Sequence, residues 1–135
     1  MFVKDEETAA LLRQATALLE GKQDDAAIRC LYQARDRMMV SEVHYPAGTW
    51  CKLPLYLSRI GRFDEAMAAL DWLLDDLPRR ARKESFMDNP TRSFGKNMPK
   101  KTVYNQIVKT TKSIVEEKRA TVLRRKAKAV EKALK

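Results

Sequence analysis

Apolar side chains recur every three or four residues along most of this 135-residue sequence. The chain has only four Gly and five Pro, which leaves long stretches without a residue that breaks regular backbone structure. A period of three to four residues places apolar side chains on one face of an α-helix, whereas a half-buried strand requires strict alternation. The sequence therefore predicts an all-α fold.

The limits of the predicted helices follow from capping residues and from Gly and Pro. The helices are expected over residues 5–20, 24–39, 47–60, 64–78 and 102–134. Asp5 suits the N-cap of the first helix, and Gly21 its C-terminal end. Pro54 falls inside the third helix and lacks a backbone N–H, so we expect a kink there. Pro78 is expected to end the fourth helix.

Charge divides the chain into an acidic part and a basic part. Residues 1–78 hold 9 Lys and Arg against 13 Asp and Glu, a net charge of −4. Residues 79–135 hold 18 Lys and Arg against 5 Asp and Glu, a net charge of +13. We interpret 1–78 as a helical domain, 79–101 as a basic linker or crossing segment, and 102–135 as a capping and basic helix.

Two segments share one layout, in which a helix is followed by Gly, a short acidic turn and an Ala-rich helix. They are residues 21–27 and residues 61–67. Such a repeat predicts helix pairs stacked in tandem, each covering the apolar face of its neighbour.

The second copy, residues 47–78, resembles a tetratricopeptide repeat. The residues that carry the resemblance are Trp50, Leu53, Gly61, Phe63, Ala66, Leu70, Leu73 and Pro78. The resemblance implies antiparallel helix pairs, two of them over residues 5–78, and a groove that binds another protein. By position, the groove would include Leu11, Leu18, Cys51, Leu55 and Arg59. Cys51 and Leu55 stand where some relatives have the Lys and Asn that clamp a peptide carboxylate, so that mode of binding is not expected. Alternatively, the C-terminal segment of the chain itself fills the groove.

Basic side chains form a second candidate site for macromolecules. They are Arg79, Arg80, Arg82, Lys83, Lys100, Lys101, Arg119, Arg124, Arg125, Lys126 and Lys128. Clusters of this kind attract phosphate backbones without sequence preference. An acidic protein, the acidic part of the same chain and plain solvation remain alternatives. An amphipathic membrane helix is disfavoured, because Ala127, Val130 and Leu134 offer little apolar area.

Other function classes find little support in the sequence. The first residues turn acidic without an apolar signal region, and no apolar run approaches the ~20 residues of a membrane span. Cys30, His44 and Cys51 lack the spacing of a zinc site, and no phosphate loop or nucleophile motif occurs. We therefore expect no cofactor, no enzymatic activity and no membrane partner, and a cytoplasmic location.

The function predicted from the sequence is that of a non-enzymatic protein–protein interaction module, an adaptor or inhibitor with a basic C-terminal arm. The alternative is a nucleic-acid-binding protein that uses segments 79–101 and 118–135 on phosphate backbones. A homodimer is left open, because a short helical repeat exposes apolar ends that require covering.

Overall fold

The computed structural model describes residues 5–86 and 99–134, and every regular element in these ranges is an α-helix. The helices are α1 (Glu6–Glu20), α2 (Asp24–Val40), α3 (Ala47–Trp50), α4 (Lys52–Arg59), α5 (Phe63–Ser85) and α6 (Lys100–Ala133). The prediction of an all-α fold with a long last helix is confirmed. Residues 87–98, which form most of the predicted linker, lie outside the described residues, as do 1–4 and 135.

The first two helices form a hairpin whose ends match the sequence signals. The Asp5 carboxylate caps α1 by accepting a hydrogen bond from the Thr8 backbone N–H at 3.1 Å. Helix α1 ends before Gly21, and the Gln23 backbone N–H then donates to the Leu18 carbonyl at 2.8 Å. These local bonds close the turn and let α2 run back along α1.

The predicted third helix is interrupted, and Pro54 accounts for the interruption. Helix α3 ends at Trp50, and α4 begins at Lys52. Pro54 has no N–H to donate to the Trp50 carbonyl four residues earlier, so the helical ladder lacks a bond at this point. The interruption lies next to the position where the sequence placed the effect of Pro54. Pro54 sits in the first turn of α4, where a missing N–H costs least.

The turn between α4 and α5 depends on Gly61, whose φ is +82°. A side chain would strain this left-handed conformation, and Gly has none. The turn brings α5 against α4, where Leu57, Ala66 and Leu70 are all 0% exposed. These residues form the centre of the core, together with Leu73.

Helix α5 continues through Pro78 to Ser85, so the predicted end at Pro78 is wrong. Pro78 lies on an exposed part of the helix, where solvent can satisfy the carbonyl that proline leaves without a partner. Beyond it, Ala81, Glu84 and Ser85 are buried. Their burial stabilises the extra helical turns that the residues after Pro78 form.

Helix α6 has 34 residues, which corresponds to a length of about 51 Å. It packs along α5 and also contacts α3 and α4. Its buried side chains are Val103, Thr111, Val115 and Val122. In the described part of the chain, no helix combines the length and the apolar content that crossing a bilayer requires.

Candidate interaction surface

Helix α6 covers the face of α4 that the sequence analysis assigned to a binding groove. The Arg125 guanidinium donates to the Leu55 carbonyl at 3.1 Å and lies 2.6 Å from the Ser58 hydroxyl. Cys51 is 0% exposed, and burial raises the pKa of its thiol to about 11. A thiol with this pKa is protonated near neutral pH, which makes it a poor nucleophile. Cys51 and Leu55 therefore lie against the chain's own last helix.

The other predicted groove residues do not join Cys51 and Leu55 in one open surface. Leu11 lines a depression of about 560 Å³ between α1 and α2, and Leu18 is half-buried against the core. Arg59 is exposed, and its guanidinium lies 5.6 Å from the centre of the Tyr56 ring.

Three of the predicted basic residues lie on α5 and make contacts within the helical head, which we define as α1 to α5. Arg79 pairs with Asp76, with a distance of 2.7 Å from Nε to Oδ1. The Lys83 ammonium donates to the carbonyl of Met39, in the last turn of α2, and to that of Ser41, just after α2. Arg80 is 3% exposed. These side chains help to hold the head together.

Three predicted basic residues of α6 also contact the head. Arg119 pairs with Asp71 of α5 at 2.7 Å, and Lys126 lies 3.6 Å from Asp64. Together with Arg125, they attach α6 to acidic and polar groups of α4 and α5. The remaining predicted basic residues are exposed: Arg82, Lys100, Lys101, Arg124 and Lys128.

Beyond Val122 no side chain of the described part of α6 is buried, and Arg125 and Lys126 make its last polar contacts with the head. We call residues 123–134 the projecting segment. Every residue from 126 to 134 is exposed, which is more than two helical turns and so includes all faces of the helix. The segment carries three large exposed apolar side chains, namely Leu123 at 50%, Val130 at 53% and Leu134 at 83%. Between residues 123 and 134 there are five Lys or Arg and one Glu.

A group of arginines and aromatic rings packs together in the head, with Trp50 and Arg80 buried and the other members half-buried. The Arg35 guanidinium is 5.0 Å from the Tyr32 ring centre and 4.1 Å from that of Trp72. The Trp72 ring stacks on Trp50 at 6.4 Å, and Arg80 lies 4.9 Å from the Trp50 ring centre. The sequence analysis did not find this group. Its one local signal was the three-residue spacing of Tyr32 and Arg35.

In the described part of the chain, few side chains are arranged in a way that could support catalysis. His44 Nδ1 lies 3.3 Å from Glu84 Oε1, and Glu84 is 6% exposed. Burial lowers the pKa of Arg80, and the charge of Glu84 partly opposes this effect. In residues 5–86 and 99–134, no cluster of His, Cys, Asp and Glu is arranged to hold a metal ion.

Arg59, Arg82, Lys100 and Lys101 are also exposed, but only the projecting segment combines exposed predicted cations with several exposed large apolar side chains on one helix in the described part of the chain. Ala127, Val130 and Leu134 were considered above only in relation to membrane binding, and the stripe that they form with Leu123 was not predicted. Its sequence signal is the spacing of these four residues, at intervals of four, three and four.

The chain matches no protein-family model, no curated protein sequence and no solved structure at a significant level.

Proposed function

We propose that this chain is a non-enzymatic protein-binding module, in which the helical head holds the projecting segment out as the binding element. The observation that carries the proposal is the exposure of Leu123, Val130 and Leu134 on a helix that is otherwise strongly basic. Apolar side chains exposed together on one helix indicate an interaction surface, whereas a solvated helix has no need of them.

A protein partner fits these features better than nucleic acid does. Phosphate binding requires cations, and three of the predicted ones, Arg79, Arg119 and Lys126, already pair with aspartates of the chain. Of the predicted set, the exposed cations that remain are Arg82, Lys100, Lys101, Arg124 and Lys128. An apolar stripe contributes nothing to contacts with a phosphate backbone. An acidic protein surface with apolar side chains would use both the charge and the stripe.

A tetratricopeptide-like scaffold is part of the proposal. It is supported by the left-handed turn at Gly61 and by the complete burial of Ala66 beside it. A cytoplasmic location is also part of it, and the unpaired, buried thiols of Cys30 and Cys51 support that location.

The test compares two adjacent aspartate substitutions in the full chain, Val130→Asp and Ala129→Asp. Both positions are exposed and the charge change is the same, but only Val130 belongs to the apolar stripe. Proteins captured from cell extract are identified by mass spectrometry, purified and titrated against the wild-type chain and both variants. We expect a purified partner to bind the wild type and Ala129→Asp, and to bind Val130→Asp at least ~10-fold more weakly.

Two outcomes would contradict the proposed function. One is that no purified protein shows a difference between the two variants. The other is micromolar binding of a generic duplex DNA or RNA that weakens steeply with salt and is reduced equally by both substitutions. That second result would favour nucleic-acid binding through the exposed cations.

A further inference from the structure

We propose that the partner contributes an acidic amphipathic helix, which pairs side by side with the projecting segment along the stripe of Leu123, Ala127, Val130 and Leu134. This inference rests on the proposed function and specifies the chemistry of the partner. It follows from the spacing, the direction and the charge of the stripe.

The spacing of the stripe is that of a helix-pairing seam. Successive members are four, three and four residues apart, which is the alternation of the a and d positions of a heptad. In this register Leu123 and Val130 take d positions, and Ala127 and Leu134 take a positions. A seam of this kind receives the apolar side chains of one partner helix.

The stripe points in a different direction from the face that packs on the head. Val115 and Val122, the last two buried residues of α6, are seven residues apart. Seven residues is close to two full turns, so Ala129 continues their line along the helix. Leu123 and Val130 are each one residue further along, and they therefore lie about 100° around the helix from that line. The stripe is thus a separate face, for which the described head offers no cover.

The charges beside the stripe select an acidic partner. Arg124 and Glu131 occupy e positions, and Lys126 and Ala133 occupy g positions, which flank the seam. Lys126 also lies 3.6 Å from Asp64, and Arg125 bonds to α4, so the cations of this segment that the described head does not engage are Arg124, Lys128 and Lys132. The projecting segment carries five cations and one Glu, a net charge of +4. A second copy of the chain would bring the same net positive charge, and this repulsion opposes self-pairing even though Lys126 of one copy would face Glu131 of the other in a parallel pair. Glutamate or aspartate beside a complementary apolar stripe would be attracted.

The experiment uses a designed probe in place of the unidentified partner. The probe is a fluorescein-labelled peptide of three heptads with Leu at a and d and Glu at e and g. Its own glutamates repel one another and oppose self-association. A control peptide carries Lys in place of every Glu at e and g. Binding to the full chain and to its variants is followed by fluorescence anisotropy, and circular dichroism checks that each variant keeps its helices.

We expect the acidic probe to bind the wild type and Ala129→Asp similarly, and Val130→Asp at least ~10-fold more weakly. We expect no binding of the Lys peptide, and a monomeric wild-type chain in sedimentation experiments. The inference is overturned if the two aspartate variants bind the acidic probe equally, because charge alone would then explain the attraction. It is overturned as well if the probe does not bind at all, or if the wild-type chain self-associates through Val130.

The failure of this inference can be told apart from failure of the proposed function. A purified partner that discriminates Val130→Asp from Ala129→Asp, combined with no binding of the acidic probe, overturns only the helical and acidic nature of the partner. If neither the partner nor the probe discriminates the two variants, both proposals are wrong.

Discussion

Replacing Glu84 by Gln is expected to lower the free energy of unfolding strongly, because it removes a negative charge beside a buried arginine. Arg80 is 3% exposed and Glu84 is 6% exposed, and they are one helical turn apart on α5. The positive charge of Arg80 also lies against the Trp50 ring, at 4.9 Å from its centre. Burial lowers the pKa of Arg80, whereas the charges of Glu84 and then Asp76 stabilise its charged form.

The size of the effect follows from the burial of these groups. Breaking a buried ion pair costs about 3–5 kcal/mol, chiefly because the other charge stays buried without compensation. Glu84 and Arg80 attract each other electrostatically without a direct salt bridge between them in the described residues, so this range is an upper bound. Gln keeps the shape of Glu, so a cavity adds little. Asp76 still offsets part of the arginine charge. We therefore expect Glu84→Gln to cost about 3 kcal/mol, the lower end of that range.

The double variant Arg80→Met/Glu84→Gln provides the sharper measurement. It removes both charges together, so no buried arginine is left uncompensated, although the contact of Arg80 with Trp50 is lost. We expect the double variant to be no less stable than Glu84→Gln alone. Its loss of unfolding free energy should be about 2 kcal/mol smaller than the sum of the losses caused by Arg80→Met and Glu84→Gln separately.

Urea unfolding at neutral pH measures these free energies, with far-UV circular dichroism and tryptophan fluorescence as two probes of the same transition. Glu117→Gln is the matched control, because Glu117 is an exposed glutamate on α6 and should change stability by less than ~0.5 kcal/mol. The reasoning is refuted if Glu84→Gln is as mild as the control. It is also refuted if the double variant loses as much unfolding free energy as the two single variants lose together.

Three further predictions concern single positions. A hydrogen bond from the Thr8 hydroxyl, more than any other interaction, holds the pKa of Asp5 well below its usual range; the folded state thus loses this stabilisation as pH falls. Urea unfolding between pH 5 and pH 2 should accordingly show a smaller loss of stability for Asp5→Asn than for the wild type, and equal slopes would contradict this assignment. In a Cys30→Ser background, the Cys51 thiol should react with a thiol reagent at pH 8 only as urea unfolds the chain. Rapid labelling of the native chain would show that the fold does not bury this thiol. Gly61→Ala should lower the free energy of unfolding by about 1–2 kcal/mol, because the φ of Gly61 is +82°. Gly48→Ala, at a helical position with open space around the added methyl group, should be neutral or slightly stabilising in the same assay. Equal effects of the two substitutions would contradict the role of Gly61.

Features of the fold that depend on neighbouring residues could be predicted from the sequence. Asp5 caps α1 through its bond to the Thr8 N–H three residues later, and Pro54 breaks the helix at the carbonyl four residues earlier. Both effects need only local geometry, so their residue types and positions suffice.

Pro78 shows why other boundaries could not be predicted. Pro54 and Pro78 are the same residue type within predicted helices, yet one interrupts its helix and the other does not. The difference is tertiary, because residues after Pro78 are buried against the rest of the fold, and the free energy of that burial exceeds the cost of one missing bond. A local pattern contains no information about such burial.

The candidate site likewise has a part that the local sequence predicts and a part that depends on tertiary packing. A run of basic residues predicts a charged surface, but it does not tell which cations the chain itself will use. Arg125 reaches the Leu55 carbonyl 70 positions earlier in the sequence, and Arg119 pairs with Asp71. The acidic and basic halves of the chain indicated that such contacts were possible, and only the packing of α6 showed which residues make them.

The attachment of α6 determines how the salt dependence of binding should be interpreted. Its ion pairs from Arg119 and Lys126 lie at the surface, where such pairs contribute about 0–1 kcal/mol each and are screened by salt. The buried valines, Val115 and Val122, and the short contact of Arg125 with Ser58 are much less sensitive to screening. Raising the salt concentration should thus leave α6 on the head while it weakens attraction to the exposed cations of the projecting segment. A loss of partner binding with salt, at constant helix content and constant unfolding midpoint, then reports on the projecting segment itself and not on detachment of the helix that carries it.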